Sequence, residues 1–211
     1  MSDTTTANAI TSISSIEQLD QIYGEPVPTS VLKEVPHVLE PHRRFIEASP
    51  FVVLATSGPE GLDCSPRGDP AGFVRVVDDT TVMIPDRRGN NRVDSLRNIV
   101  RDPRVALLFL VPGIGITLRI NGRAELLLDE DLRRSFAMGD KVPTCVISVT
   151  VETIYQQCPK AIIRSKLWDP DSRVPASAVP TVGEIMEAID ATFDGPAYDA
   201  AYPERVRTTI Y

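Results

Sequence analysis

Between residues 87 and 104 the sequence sets six arginines, Arg87, Arg88, Arg92, Arg97, Arg101 and Arg104, against two carboxylates, Asp94 and Asp102. The chain of 211 residues as a whole is acidic, with a formal net charge of −7. A segment that gathers cations in such a protein is either a local anion site or a solvated, arginine-rich helix face. Gly89, Asn90 and Asn91 precede the helix expected here, so backbone N–H groups, a helix dipole and guanidinium forks would meet at one place. Those are the groups that a phosphate monoester needs, because each can give a charge-assisted hydrogen bond to a phosphate oxygen.

Two further groups carry similar chemistry. Arg67 and Asp69 lie in Ser65-Pro66-Arg67-Gly68-Asp69-Pro70, where glycine permits close approach and the prolines stiffen the chain. This segment reads either as a rigid, ligand-facing turn or as a hairpin turn with an exposed ion pair. Lys160, Arg164 and Trp168 stand at i, i+4 and i+8, which puts two cations and the single tryptophan on one helical face. The indole could cover a planar ring while the cations hold an anion; a tryptophan plugging the core at a helix end is the alternative.

Other chemistries find little support. Gly113-Ile114-Gly115 lacks the third glycine and the strand–helix context of a dinucleotide fold, and no P-loop pattern occurs. His37 and His42 sit beside prolines, and Cys64, Cys145 and Cys158 contain no C-x-x-C pair, so no metal site, disulfide framework or triad base is expected. No side chain announces itself as a general acid or base, and no catalytic residue is assigned. A pI near 4.9 argues against nucleic acid or anionic membrane as partners. The longest apolar stretch, residues 105–111, falls far short of the roughly 20 residues that cross a bilayer, and residues 1–15 lack the pattern of a secretory signal. The expectation is a soluble, cytoplasmic protein with reduced thiols.

Positioning these residues falls mainly to short strands. Residues 51–55, 62–66, 73–77 and 81–84 read as strands, with turn signals at 57–61 and at Asp78-Asp79. After the polar loop 85–91, Asn90 or Asn91 is expected to cap a helix with Val93, Leu96 and Val100 on one face. Strands over 104–111 and 116–121 meet through Pro112-Gly113-Ile114-Gly115, a connection short enough to require antiparallel pairing. Asp129 caps a helix to about residue 138, and residues 144–157 return to strand with Ile147, Val149 and Val151 alternating against Ser148, Thr150 and Glu152.

The flanks are helical or loose. Residues 1–13 read as a loose arm; Ser14 with Glu17 opens a helix to Tyr23, and a second helix covers 41–48 with Phe45 and Ile46 facing inward. Residues 169–180 are loop-like, Thr181 with Glu184 opens a helix to about 193, and the last residues read as a surface tail. The pattern predicts a mainly β fold with flanking helices (α+β), a closed or nearly closed barrel. It divides into an N-terminal arm and helices (1–49), a barrel (50–168), and a C-terminal loop and helix packing on the barrel (169–211).

In this order, residues 51–168 resemble the pyridoxamine 5′-phosphate oxidase-like, FMN-binding split-barrel superfamily. The similarity lies in Arg67 after the second strand, the apolar strand running into the polar loop at residues 81–88, and Asn90 two before Arg92 at a helix start. It continues in Asn98-Ile99-Val100-Arg101-Asp102-Pro103-Arg104-Val105-Ala106 and in the strand Thr117-Leu118-Arg119-Ile120-Asn121-Gly122-Arg123-Ala124. The resemblance implies that Arg67, Arg88 and the Asn90–Arg92 pair contact the phosphate and ribityl chain of FMN, and that Thr117 contacts the isoalloxazine. It also implies a homodimer with two FMN sites at the interface, each using both chains. With the local readings above, the expected cofactor-binding set is Arg67, Asp69, Arg87, Arg88, Asn90, Asn91, Arg92, Thr117, Lys160, Arg164 and Trp168.

Two departures bound the resemblance. The Trp-Arg-Leu-x-Pro segment with which true pyridoxamine phosphate oxidases bind substrate is missing, Lys160, Arg164 and Trp168 forming a different ending. The strand containing Arg67 also lacks the family's long apolar stretch and following lysine. The reading is an FMN-dependent oxidoreductase acting on a small substrate. The alternatives are the same fold binding a deazaflavin or haem, and a non-catalytic flavin-binding protein.

Overall fold

Alternating burial builds the sheet. In the computed structural model, which describes residues 12–211, Val52 and Leu54 of β1 (Phe51–Gly58) point inward while Phe51 and Val53 are more exposed. The same period recurs along β5 (Arg104–Leu110), where Val105, Leu107 and Phe109 are buried, and β6 (Thr117–Leu127), where Leu118 and Ile120 are buried. On β7 (Val146–Gln157) both faces are covered from Val146 to Val149, Ser148 included, before alternation sets in. With β2 (Gly61–Gly68), β3 (Arg75–Val76) and β4 (Thr81–Pro85), seven antiparallel strands form one sheet in the order β2-β1-β5-β6-β7-β4-β3.

The sheet is not closed, since its edge strands β2 and β3 do not pair. It is nonetheless rolled. Laid flat, β2 and β4 would stand five strand spacings apart, about 24 Å; instead Arg67 at the end of β2 lies 3.2 Å from Asp86 just after β4. Side chains bridge the gap that a backbone ladder would close in a full barrel. The interior is one cluster of Val, Leu, Ile and Phe side chains from these strands, joined by Ile46 and by Ile99. Each such side chain, once buried, contributes about 1.5–3 kcal/mol against the entropy of ordering it.

The chain divides after Glu34 into two units. The first carries α1 (Ile16–Tyr23) and α2 (Pro28–Leu32). Ser15 rather than Ser14 caps α1, accepting from the Gln18 N–H, while Ser14 gives its own N–H to Gln18 Oε1. Of the arm expected at residues 1–13, residues 1–11 lie outside the described residues. The second unit, Val35–Tyr211, contains the sheet and six helices: α3 (Glu40–Ala48), α4 (Asp94–Arg101), α5 (Glu130–Ser135), α6 (Lys160–Ser165), α7 (Val182–Ile189) and α8 (Gly195–Thr209). Among the described residues, no helix is long and apolar enough to cross a membrane.

Several elements depart from expectation. The strand expected over 73–77 is reduced to two residues, because only Arg75 and Val76 pair with β4. Capping at Asp129 and Thr181 forms as expected, but α5 and α7 each end a few residues early. The last residues are not a tail: Asp194 caps α8, a helix disguised by Pro203 in its interior and by the lack of an apolar period.

Candidate functional site

A cleft of about 970 Å³ opens along the seam, walled by the end of β2, the loop from Pro85 to Val93, and the start of α4. Arg67 gives one terminal nitrogen to Asp86 Oδ1 at 3.2 Å and the other to Ser95 Oγ at 3.4 Å. Ser95 in turn donates to Asp63 Oδ2. The Nε–H of Arg67 is buried with no hydrogen-bond partner among the described residues. Such an orphaned donor costs about 1–3 kcal/mol unless a ligand or water satisfies it. Burial holds the Asp86 carboxyl above its ordinary pKa, an effect that Arg67 opposes without cancelling.

A second ion pair crosses the seam beside the first. Arg87 donates through Nε to Asp69 Oδ2 at 2.6 Å and through Nη1 to the Phe136 carbonyl at 2.7 Å. Tyr211 donates its hydroxyl to the other Asp69 oxygen at 2.7 Å, and that hydrogen bond raises the phenol pKa. Beneath the loop, the Asp86 N–H is held by the Cys145 carbonyl. Burial and the neighbouring Asp86 push the Cys145 thiol up to about 11, which favours its protonated form at neutral pH.

The loop itself enters α4 by an unusual route. Asn90 does not cap the helix, because its Oδ1 accepts from the Arg92 N–H in a local Asx turn. Asn91 and Val93 both adopt left-handed backbone, with φ of 62° and 53°. Asparagine tolerates this, but for a β-branched valine it costs roughly 1–2 kcal/mol. Val93 stands at the N-cap and gives no side-chain hydrogen bond to the first-turn amides of α4, and residues 93–96 line the cleft. The buried face of α4 is Ser95, Asn98 and Ile99, not Val93, Leu96 and Val100; Val93 and Val100 are exposed and Leu96 only partly buried. Polar anchoring explains the difference. Asn98 Nδ2 donates to Thr56 Oγ1 at 3.1 Å, and the missing side chain of Gly58 makes room for Asn98.

Of the residues singled out in the sequence, Arg67, Asp69, Arg87, Arg88, Asn90, Asn91 and Arg92 all line this cleft. Arg88 is exposed, and Arg92, also exposed, rests its guanidinium on Asp94 at 2.8 Å. Thr117, Lys160, Arg164 and Trp168 do not line it. Thr117 pairs with Gln157, at the opposite end of β7 from the residues that pair with β4. The single helical face expected for the other three does not form. Helix α6 stops at Ser165, Lys166 turns left-handed at φ 53°, and Trp168 lies beyond, half-buried, donating Nε1–H to the Ile114 carbonyl at 2.9 Å. Lys160 and Arg164 are exposed. Sequence reasoning passed over Asp63, Asp86, Ser95 and Tyr211. Only the Asp86–Arg87 step at a strand end offered a signal; the others depend on contacts across the seam.

A rolled antiparallel sheet, open along one side and bridged there by arginine–carboxylate pairs, defines a split β-barrel. The family model for pyridoxamine 5′-phosphate oxidase matches residues 38–158, more than half of the chain, and the chain belongs to that family. Among solved structures, HupZ of Group A Streptococcus is similar over 57% of this chain and 94% of its own, at 19% identity and a TM-score of 0.48. General Stress Protein 26 of Bacillus anthracis is similar over 54% and 88%, at 17% identity and 0.41. An FMN-binding protein of Syntrophomonas wolfei is similar over 54% and 82%, at 10% identity and 0.42. No curated protein matches the chain.

Proposed function

We propose that this protein is an FMN-dependent oxidoreductase acting as a homodimer on a small substrate. The observation that carries the reading is the seam cleft, which brings a buried, unpartnered arginine donor, two exposed arginines and the uncapped start of a helix to one place. That donor set suits a phosphate monoester, and the volume of about 970 Å³ lies at the upper end of ordinary ligand pockets. Arg67, Arg88 and Arg92 would hold the phosphate, with Asn90, Asn91 and the loop amides giving neutral hydrogen bonds. Arg87 and Asp69 are committed to each other and hold the loop in place. Bound there, the flavin supplies hydride or electron transfer, while the chain binds it, orients it and keeps its surroundings dry. The strained Val93 fits this reading, since backbone strain of that kind concentrates where a loop is shaped for a ligand.

The direct test is the visible absorbance of freshly purified protein, with mass identification of any ligand released from it. Arg88→Ala and Arg92→Ala are each expected to weaken FMN binding about ten- to hundred-fold, the usual cost of one charge-assisted contact. Both side chains are exposed, so unfolding midpoints should hardly move. If both variants bind FMN with wild-type affinity in a fluorescence titration, the loop is a solvated surface and the cofactor assignment falls.

A shared site would also account for Thr117, Lys160, Arg164 and Trp168, which a second copy could bring to the cleft that they do not reach within one chain. Light scattering is therefore expected to give about twice the 23.1 kDa chain mass. A stable monomer that binds FMN would contradict the shared arrangement.

A further inference from the structure

Tyr211 stands where two cavities meet. One is the seam cleft; the other, of about 450 Å³, is walled by Asp140, Lys141, Val142 and Pro143 and shares Arg87, Arg88, Thr144 and Tyr211 with it. The tyrosine is held rather than loose. Its hydroxyl bonds to Asp69, whose side chain is only 1% exposed and whose other oxygen is taken by Arg87. The Arg87 guanidinium in turn lies 5.8 Å from the centre of the Tyr211 ring.

We propose that Tyr211 sets the length of nucleotide that the cleft accepts: it is a partition that confines the site to a flavin mononucleotide and excludes a dinucleotide. The inference rests on the cleft being the seat of the flavin phosphate. Arg88 belongs to both cavities, so a chain extended beyond a phosphate held there would enter the second cavity past Tyr211. The chemistry of that cavity suits the extension. Arg88 and Lys141 offer two cations for a second phosphate against the one carboxylate of Asp140, which also lines the cavity and lies 3.1 Å from Lys141, and Val142 with Pro143 offers apolar lining for a base. What keeps such a ligand out is the tyrosine ring, clamped by the Asp69–Arg87 pair.

The test measures the affinities of FMN and FAD by flavin fluorescence for the wild type and for Tyr211→Ala, Tyr211→Phe and Tyr211→Trp. The wild type is expected to prefer FMN by at least about tenfold, and Tyr211→Ala to narrow the ratio to within about threefold by gaining affinity for FAD. Tyr211→Phe retains the ring and should keep the preference, with FMN weakened a few-fold through the lost hydrogen bond. Tyr211→Trp should hold or widen the ratio. Should Tyr211→Ala fail to fold, Tyr211→Leu shortens the wall while keeping an apolar side chain and reads the same ratio. A wild type that binds FAD as well as FMN, or a folded Tyr211→Ala that keeps the wild-type ratio, overturns the partition and leaves the flavin site standing. A wild type that binds neither flavin removes the cofactor reading, and the partition with it.

Discussion

Arg67→Met is expected to destabilise the protein by about 2–3 kcal/mol and to abolish tight FMN binding. Breaking a buried ion pair by removing one partner costs about 3–5 kcal/mol, because the other charge is left buried and unpaired. A loss at or below the bottom of that range applies here since the Arg67 and Asp86 side chains retain 20% and 12% exposure. Arg67 also holds Ser95 at the start of α4, so the loss would loosen β2, the loop and the helix together. Denaturant unfolding of the single variant and of Arg67→Met/Asp86→Asn checks the cause. If the unpaired carboxylate is responsible, neutralising it recovers much of the loss. Equal instability in both variants would instead place the damage in packing.

The same pair predicts a pH dependence. Burial raises the Asp86 pKa in the folded protein above the unfolded value, so the folded state binds more protons between those two values. The contribution of Asp86 to stability therefore falls as pH rises through that window. Without Arg67 the carboxyl rises further, and the deficit of Arg67→Met should be smallest near about pH 4 and largest near about pH 8. A deficit independent of pH would mean that Asp86 does not titrate differently in the two states.

The strands were legible because their cause is local. Val52 and Leu54, Val105, Leu107 and Phe109, and Leu118 and Ile120 repeat with period two, and that period is the buried face of a strand. The arginine-rich loop was legible for another local reason, the accumulation of arginines in an acidic chain. What remained hidden is what the roll of the sheet creates. Nothing near Arg67 announces Asp86, 19 residues away, or Ser95, 28 away, and nothing near Asp69 announces Tyr211, 142 away. Local pattern also misled where polar contacts overrode it. An apolar reading of α4 chose Val93 and Val100, whereas Asn98 bonded to Thr56 turns a partly polar face to the sheet. At Lys160, Arg164 and Trp168 the helical spacing was real on paper, but the chain leaves the helix at Lys166, and no residue type there signals a left-handed turn.

Gly122→Ala is the substitution expected to damage the fold most, and through the fold the site. Gly122 is buried on β6, pairing with Val105 of β5 on one side and Val151 of β7 on the other. The β6–β7 register shifts here, Asn121 facing Thr153 and Gly122 facing Val151, so that β7 accommodates Glu152 as an extra residue. A Cβ at Gly122 would fall 2.1 Å from the Thr150 carbonyl oxygen and 3.3 Å from Val149 Cγ1. The first clash is with backbone, which no rotamer change relieves. Thr150 also pairs with Thr81, so displacing it pushes on β4, the strand that delivers Pro85 and Asp86 to the cleft. Overpacking of this severity is expected to cost about 3 kcal/mol or more, lowering the thermal midpoint by roughly 6–12 °C for a chain of this size. FMN affinity should fall in parallel. Gly89→Ala is the matched control: nothing lies within 4 Å of its Cβ position, so its stability should stay within about 0.5 kcal/mol of wild type. A Gly122→Ala midpoint as little changed as that of Gly89→Ala would show that β6 and β7 do not approach so closely, and that the cleft does not depend on their register.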